Sequence, residues 1–137
     1  MILYGSSFSP FVRKVLVYAA EKGIALSNVQ IERPVMQAEF LRASPMRKMP
    51  ALVDGDFCIA DSTAIIAYLE VKQPQRPMYP TDAMGRARAV WFEEFADTIL
   101  FVPISKAFFN RVVAPVFLKQ PGDEAIAVEG ETRDLPP

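Results

Sequence analysis

Three short stretches carry the residues best suited to chemistry. The first is Ser6-Ser7-Phe8-Ser9-Pro10-Phe11-Val12-Arg13, which follows the apolar run Ile2-Leu3-Tyr4-Gly5 and opens a helical pattern that stops at Gly23. Ser9 is a good N-cap, and Pro10 suits the first helical position, where a missing N–H costs nothing. Hydroxyls therefore sit at the positive end of a helix, either to hold an anion or simply to cap. The second stretch is Lys48-Met49-Pro50, entering a strand. Pro50 is either an ordinary edge-strand proline or a cis one. A cis bond would turn the Met49 N–H and C=O outward, to pair with an extended, peptide-like ligand. The third is Asp61-Ser62, at the mouth of a later helix. Either these are caps, or Ser62 and the backbone N–H groups take a ligand carboxylate while Asp61 pairs with an ammonium group.

Composition bounds what such residues can do. With 137 residues the chain holds one domain, or one domain and part of another. Hydrophobic residues make up 51% and charged ones 23%, a globular balance, and the net charge of −1 points to neither nucleic acid nor an anionic membrane. There is no histidine, which removes serine–histidine hydrolases, cysteine–histidine proteases and most zinc sites. Cys58 is the single cysteine, so no internal disulfide forms and a reducing compartment is expected. No run reads as a transmembrane helix, and Met1-Ile2-Leu3 leads into a strand rather than a signal peptide. The expected location is the cytoplasm.

The elements that must position these residues follow in order. Strand one is predicted at Ile2 to Tyr4, and a helix from Pro10 to Lys22 with a broad apolar face. Val29-Gln30-Ile31-Glu32 alternates as a strand, ended by Arg33-Pro34. A short helix spans Gln37 to Ala43, ahead of Pro45. Ala51-Leu52-Val53 and Phe57-Cys58-Ile59 form a hairpin about an Asp54-Gly55 turn. Ala64 to Leu69 is a buried helix ending near Gln73-Pro74. The order β-α-β-α-β-β-α gives an α/β fold, a small mixed sheet with helices packed on it.

Residues 72–80 are proline-rich and read as a linker. Asp82 then caps a long helix from about Ala83, which Pro103 should end or kink. Trp91, Phe92, Phe95, Ile99, Leu100, Phe101, Phe108, Phe109, Val112 and Val113 point in too many directions for one surface. From Gln120 onward the chain reads as loop, either a flexible tail or part of a second domain; the aromatics favour the second.

Taken together, the serine before Pro-Phe, the Lys-X-Pro-Ala-Leu entry to a hairpin and the acidic-Ser pair at the next helix resemble the glutathione transferases. The run Arg86-Ala87-Arg88-Ala89-Val90-Trp91-Phe92-Glu93-Glu94-Phe95-Ala96-Asp97 looks like the opening helix of that family's all-helical second domain. The resemblance extends to about Leu118. It implies a thioredoxin-like domain over 1–73 that binds glutathione, a linker over 74–82, and over 83–137 the start of the helical domain, apparently truncated. The nearest classes are serine-type, tau-like or zeta-like, in a bacterial-style member.

The resemblance also implies roles. Met49, before Pro50, matches the residue whose backbone pairs with the cysteinyl unit, and Lys48 matches a basic residue near the glycyl carboxylate. Asp61 and Ser62 match the pair on the γ-glutamyl end. Ser9 matches the hydroxyl that meets the glutathione sulfur, with Ser7 as second choice, and Asp97 an acidic residue that reaches a neighbouring subunit's glutathione. Glutathione is the co-substrate, no metal is implied, and a homodimer acting on a small electrophile in detoxification is expected. The physics is consistent with it. A free thiol titrates near ~8.5. A hydrogen bond to a charged group contributes roughly 1.5–3 kcal/mol and a helix N-terminus about 0.3–1, together worth around one to three pKa units. Serine is a donor there, and the thiolate is the nucleophile.

Three rivals remain. A thiol–disulfide oxidoreductase needs cysteines at the positions of Ser9 and Val12, and neither is present. Cys58, between Phe57 and Ile59, reads as a small hydrophobe. A non-catalytic glutathione-binding or assembly module keeps the fold without turnover. A glutathione-dependent isomerase, such as a maleylacetoacetate isomerase, or a dehalogenase keeps the site and changes the reaction.

Overall fold

The structure, a computed structural model, describes residues 1–31 and 37–135. They form two compact units, Met1–Tyr79 and Pro80–Pro137. The expected strand terminator Arg33-Pro34 lies outside the described residues.

In the first unit β1 (Ile2–Tyr4), β2 (Ser27–Val29), β3 (Ala51–Asp54) and β4 (Phe57–Ala60) make one sheet in the order β2-β1-β3-β4. β1 and β2 are parallel, while β1–β3 and β3–β4 are antiparallel. α1 (Pro10–Lys22), α2 (Ala38–Ala43) and α3 (Ser62–Lys72) are interleaved in the predicted order. This is the small mixed sheet read from the element order, in the thioredoxin-like arrangement that the resemblance implied. Period-two alternation divides the side chains between two cores. Leu3 and Leu52 join Val12, Val15, Ile65 and Leu69 in the core that includes α1 and α3. Tyr4, Ala51 and Val53 join Phe40 and Ala43 of α2 in the other. Cys58 packs half-buried against this second core, the apolar role expected for it.

Two elements shift from their predicted positions. β2 is Ser27–Val29, so the predicted strand begins two residues earlier and Gln30 and Ile31 lie beyond it, while Glu32 is outside the described residues. Register with β1 decides this, since Tyr4 faces Val29 and the pairing closes with the Gly5 N–H on the Val29 carbonyl at 3.0 Å. The Asn28 side chain, donating to the Leu3 and Gly5 carbonyls at 3.0 and 3.1 Å, fastens the same edge. The hairpin loop is Gly55-Asp56, one residue later than predicted, since Asp54 pairs with Phe57.

Beneath α1 and α3 lies an ionic cluster that periodicity did not reveal. Lys22, with a fully buried side chain, donates to Glu70 at 2.6 Å, and the Tyr18 hydroxyl donates to the same carboxylate. Glu70 also accepts from the amides of Met78 and Tyr79 at 2.9 and 3.2 Å, and Lys22 donates to the Arg76 carbonyl at 3.1 Å. Burial alone would raise the Glu70 carboxyl, but the bonds from Lys22, Tyr18 and the two amides outweigh it and hold it at about 2.

In the second unit Asp82 caps α4 (Ala83–Glu94) by accepting from the Gly85 amide at 2.8 Å. Helix continues through wide, π-type turns at Phe95–Leu100, then α5 (Phe101–Phe108), then further π-type turns at Phe109–Phe117. Pro103 neither ends nor breaks the run. The wide turns before it are where a missing amide hydrogen bond is accommodated. The resulting Ala83–Phe117 helix of 35 residues is long and apolar enough, by length and composition alone, to cross a membrane, contrary to the sequence expectation.

The C-terminal stretch is helical rather than looped. Asp123 caps α6 (Glu124–Glu129) through the Ile126 amide at 3.2 Å, and π-type turns follow at Gly130–Asp134. Gly130 sits so close to α5 that an added Cβ would lie 2.6 Å from the Pro103 carbonyl oxygen. Arg111 reaches both Glu124 and Glu131, and Lys106 both Glu129 and Asp134. These pairs tie back to α5 and the turns after it an acidic segment that is helical where its residues alone suggested loop. Val90, Trp91, Phe92, Ile99, Phe108 and Phe109 of this unit are exposed.

Candidate functional site

The site is assembled where the loops at one end of the sheet meet. Gly5, at φ 152, ends β1, and a Cβ there would stand 2.5 Å from Val12 Cγ2 and 3.3 Å from Met49 Cβ. The absence of a side chain is therefore what lets the serine loop and the Met49 segment close on each other. Gly5 was missed as a site residue in the sequence; its only signal is a glycine between an apolar strand and the serines.

Ser9 occupies the N-cap of α1 with extended backbone, and its C=O accepts from the Arg13 amide at 3.0 Å. Its hydroxyl makes no capping bond. The expected capping role is thus filled in position but not in hydrogen bonding, and the half-buried hydroxyl stays at the positive end of the helix. Ser7 is exposed, and Ser6 accepts from the Phe8 amide at 3.3 Å.

The Met49–Pro50 peptide bond is cis. Among the described residues, the Met49 N–H and C=O have no hydrogen-bond partner. Pro50 is buried, and its carbonyl accepts from the Asp61 amide at 3.3 Å, which joins the second and third stretches directly. Asp61 is a non-glycine residue at φ 83, a strained backbone, and its side chain accepts from the Ala64 amide at 3.0 Å. Asp61 is therefore the cap of α3, and Ser62, buried, is its first helical residue rather than the cap. From α1, Lys14 donates to Thr63 at 3.3 Å and brings a cation to the start of α3. Neither Lys14 nor Thr63 was singled out in the sequence, since a lysine beside an apolar stripe reads as a solvated face.

Lys48 is exposed, directly before Met49. Asp97 is half-buried in the π-type turn after α4, in the second unit. Within the first unit, then, the cis-proline segment and Asp61 are linked by hydrogen bonding, Ser62 follows at the first position of α3, and Gly5 stands between Val12 and Met49. The arrangement offers the Met49 backbone groups, unpaired among the described residues, to an extended ligand, beside the N-terminus of α3 and the Ser9 hydroxyl at the start of α1.

Comparison with known proteins points the same way. The family described as glutathione S-transferase, N-terminal domain, matches residues 3–77. Mouse glutathione S-transferase theta-3 is 36% identical over 124 residues, 87% of this chain and 51% of that protein. Human glutathione S-transferase theta-1 is 38% identical over 84 residues, 60% of this chain and 35% of the relative. The chain thus spans about half the length, or less, of these relatives. Among solved structures, the apo form of human glutathione S-transferase T1-1 superimposes with a TM-score of 0.82 at 28% identity, over 95% of this chain and 56% of that one. A glutathione S-transferase from Rhodospirillum rubrum gives 0.82 at 27%, covering 94% and 59%. With the sheet order, the cis-proline segment and more than half its length matched, the chain belongs to the glutathione S-transferase family.

Proposed function

We propose that this chain binds glutathione and is the thiol-activating part of a glutathione transferase. Met49 pairs with the cysteinyl unit through its backbone, and Pro50 fixes that backbone. Asp61 and Ser62 hold the γ-glutamyl end, and Lys48 faces the glycyl carboxylate. Ser9 donates its hydroxyl to the sulfur, with Ser7 as the second choice. The observation that carries this reading is that the Ser9 hydroxyl sits at a helix N-cap without capping the helix.

The chemistry then follows. A thiolate at the positive end of α1 is favoured by the helix and by a hydroxyl donor, so its pKa falls by around one to three units from ~8.5. The thiolate attacks an electrophilic carbon and the leaving group departs with the bonding electrons. Serine supplies a hydrogen bond throughout and forms no bond to carbon.

By its motifs the chain goes with the serine-type classes, tau-like or zeta-like; its relatives include proteins named theta-3, theta-1 and Z1. The domain limits 1–73, 74–82 and 83–137 belong to the same reading. So do a cytoplasmic location and a two-fold homodimer covering the exposed Trp91 and Phe92, with Asp97 reaching the partner's glutathione. Size-exclusion at several concentrations checks the dimer, and a monomer at all of them removes it. The long apolar helix fits a helical bundle in this reading.

Calorimetric titration with glutathione, followed by a conjugation assay, tests the proposal. Ser9→Ala should cost turnover about 10²-fold or more while changing glutathione affinity little. Turnover surviving Ser9→Ala but lost in Ser7→Ala would reassign the donor. A folded sample that binds no glutathione overturns the reading.

A further inference from the structure

Ser44 is buried, 1% exposed, at the end of α2, and its side chain is committed to a single residue four positions on. Its hydroxyl donates to the Lys48 carbonyl at 2.7 Å and accepts from the Lys48 amide at 3.0 Å. Its own carbonyl accepts from the Arg47 amide at 2.9 Å, and its amide donates to Phe40 at 2.8 Å. The turn between them is one the chain does not adopt readily, since Arg47, not a glycine, stands at φ 58. A helix end needs only the backbone bonds to Phe40 and Arg47. The two hydroxyl bonds add nothing to α2 itself; they fix both polar groups of the peptide units flanking Lys48, immediately before Met49.

We propose that Ser44 is a positioning residue for ligand binding. It holds the Lys48 backbone from both sides, so that the Lys48 ammonium and the Met49 amide and carbonyl meet the glycyl and cysteinyl parts of glutathione in one register. This rests on the assignment of Lys48 and Met49 made above. Without the hydroxyl, both Lys48 backbone groups lose their partner, and the turn through Arg47 relaxes toward more common backbone angles.

Coupling to Lys48 separates this role from a merely structural one. The test is calorimetric titration of reduced glutathione into the 137-residue chain and its Ser44→Ala, Lys48→Ala, double and Ser44→Thr variants. Ser44→Ala should raise the dissociation constant about tenfold, the loss of one well-placed hydrogen-bonded contact. Ser44→Thr, which keeps the hydroxyl, should recover most of that. The double variant should lose less affinity than the product of the two single losses, because the Lys48 contact is shared by both changes while the Met49 contacts are disturbed only by the first. Unchanged affinity in Ser44→Ala, or losses that multiply in the double variant, overturns the proposal. If Ser44→Ala does not fold, Ser44→Cys, similar in shape but a poor hydrogen-bonding group, takes its place in the cycle. Wild-type chain that binds no glutathione overturns the functional reading and this proposal together. Wild-type binding with wild-type-like Ser44→Ala overturns this proposal alone.

Discussion

The two units hold themselves together by different means. In Met1–Tyr79 two apolar cores line the sheet, and the buried charges of Lys22 and Glu70 are paired and hydrogen-bonded. In Pro80–Pro137 large apolar side chains such as Trp91 (59% exposed) and Phe92 (64%) face outward, while Arg111 and Lys106 stitch α6 and its continuation to the preceding helix through solvent-accessible pairs. Burial stabilises the first arrangement; exposed ion pairs contribute little and weaken with salt. A helix can thus be well formed and still lack the packing that fixes a domain.

This contrast is sharpest at Glu70. Glu70→Ala would leave Lys22 buried and unpaired, and should lower the unfolding free energy by about 3–5 kcal/mol, read from denaturant titration. The pH dependence has a fixed sign. The folded-state pKa is depressed, from an ordinary 4.5 to about 2. The contribution is therefore complete above about 4.5 and is lost as pH falls toward about 2, a slope Glu70→Ala should lack.

Gly5→Ala comes next. A Cβ 2.5 Å from Val12 at φ 152 combines a clash with a disfavoured backbone, and should cost about 2–3 kcal/mol in the same titration. Arg111→Ala should have a smaller effect, confined to the helicity of the second unit and shrinking as salt is raised. A salt-independent loss there would break the contrast.

The smallest change is expected of Phe92→Ser, within about 0.5 kcal/mol at low protein concentration. If melting instead rises with concentration for the wild type but not for Phe92→Ser, the outward face is covered in solution and the two units are less unlike than they look.

What could be read from the sequence followed the same division. Elements with a period and a local stop were legible: α1 between Ser9 and Gly23, β3 and β4 around their turn, and α4 behind Asp82. The three chemical stretches were legible too, because each couples an unusual residue to an element boundary. Elements decided by pairing across space were not. β2 moved because the partner's register, not its own alternation, chose its residues. α6 was hidden because its acidic residues are matched by Arg111 and Lys106 far back in the chain. The Tyr18–Lys22–Glu70 cluster and Ser44 escaped for a further reason: a charged or hydroxylic residue on an apolar face has no sequence mark of the partner that buries it.

That cluster also says where the molecule can be cut and rejoined. The Met78 and Tyr79 amides and the Arg76 carbonyl are held by side chains rooted in α1 and α3. Most of the proline-rich run is therefore fastened to what precedes it. A recombination junction at Gln73-Pro74, where composition changes, would keep Lys22 paired with Glu70 but take the carbonyl at 76 and the amides at 78 and 79 from the other parent, whose chain must then follow the same path to satisfy them. One placed in 80–82 would transplant the set intact, which makes those three residues the natural seam for shuffling this chain with its relatives.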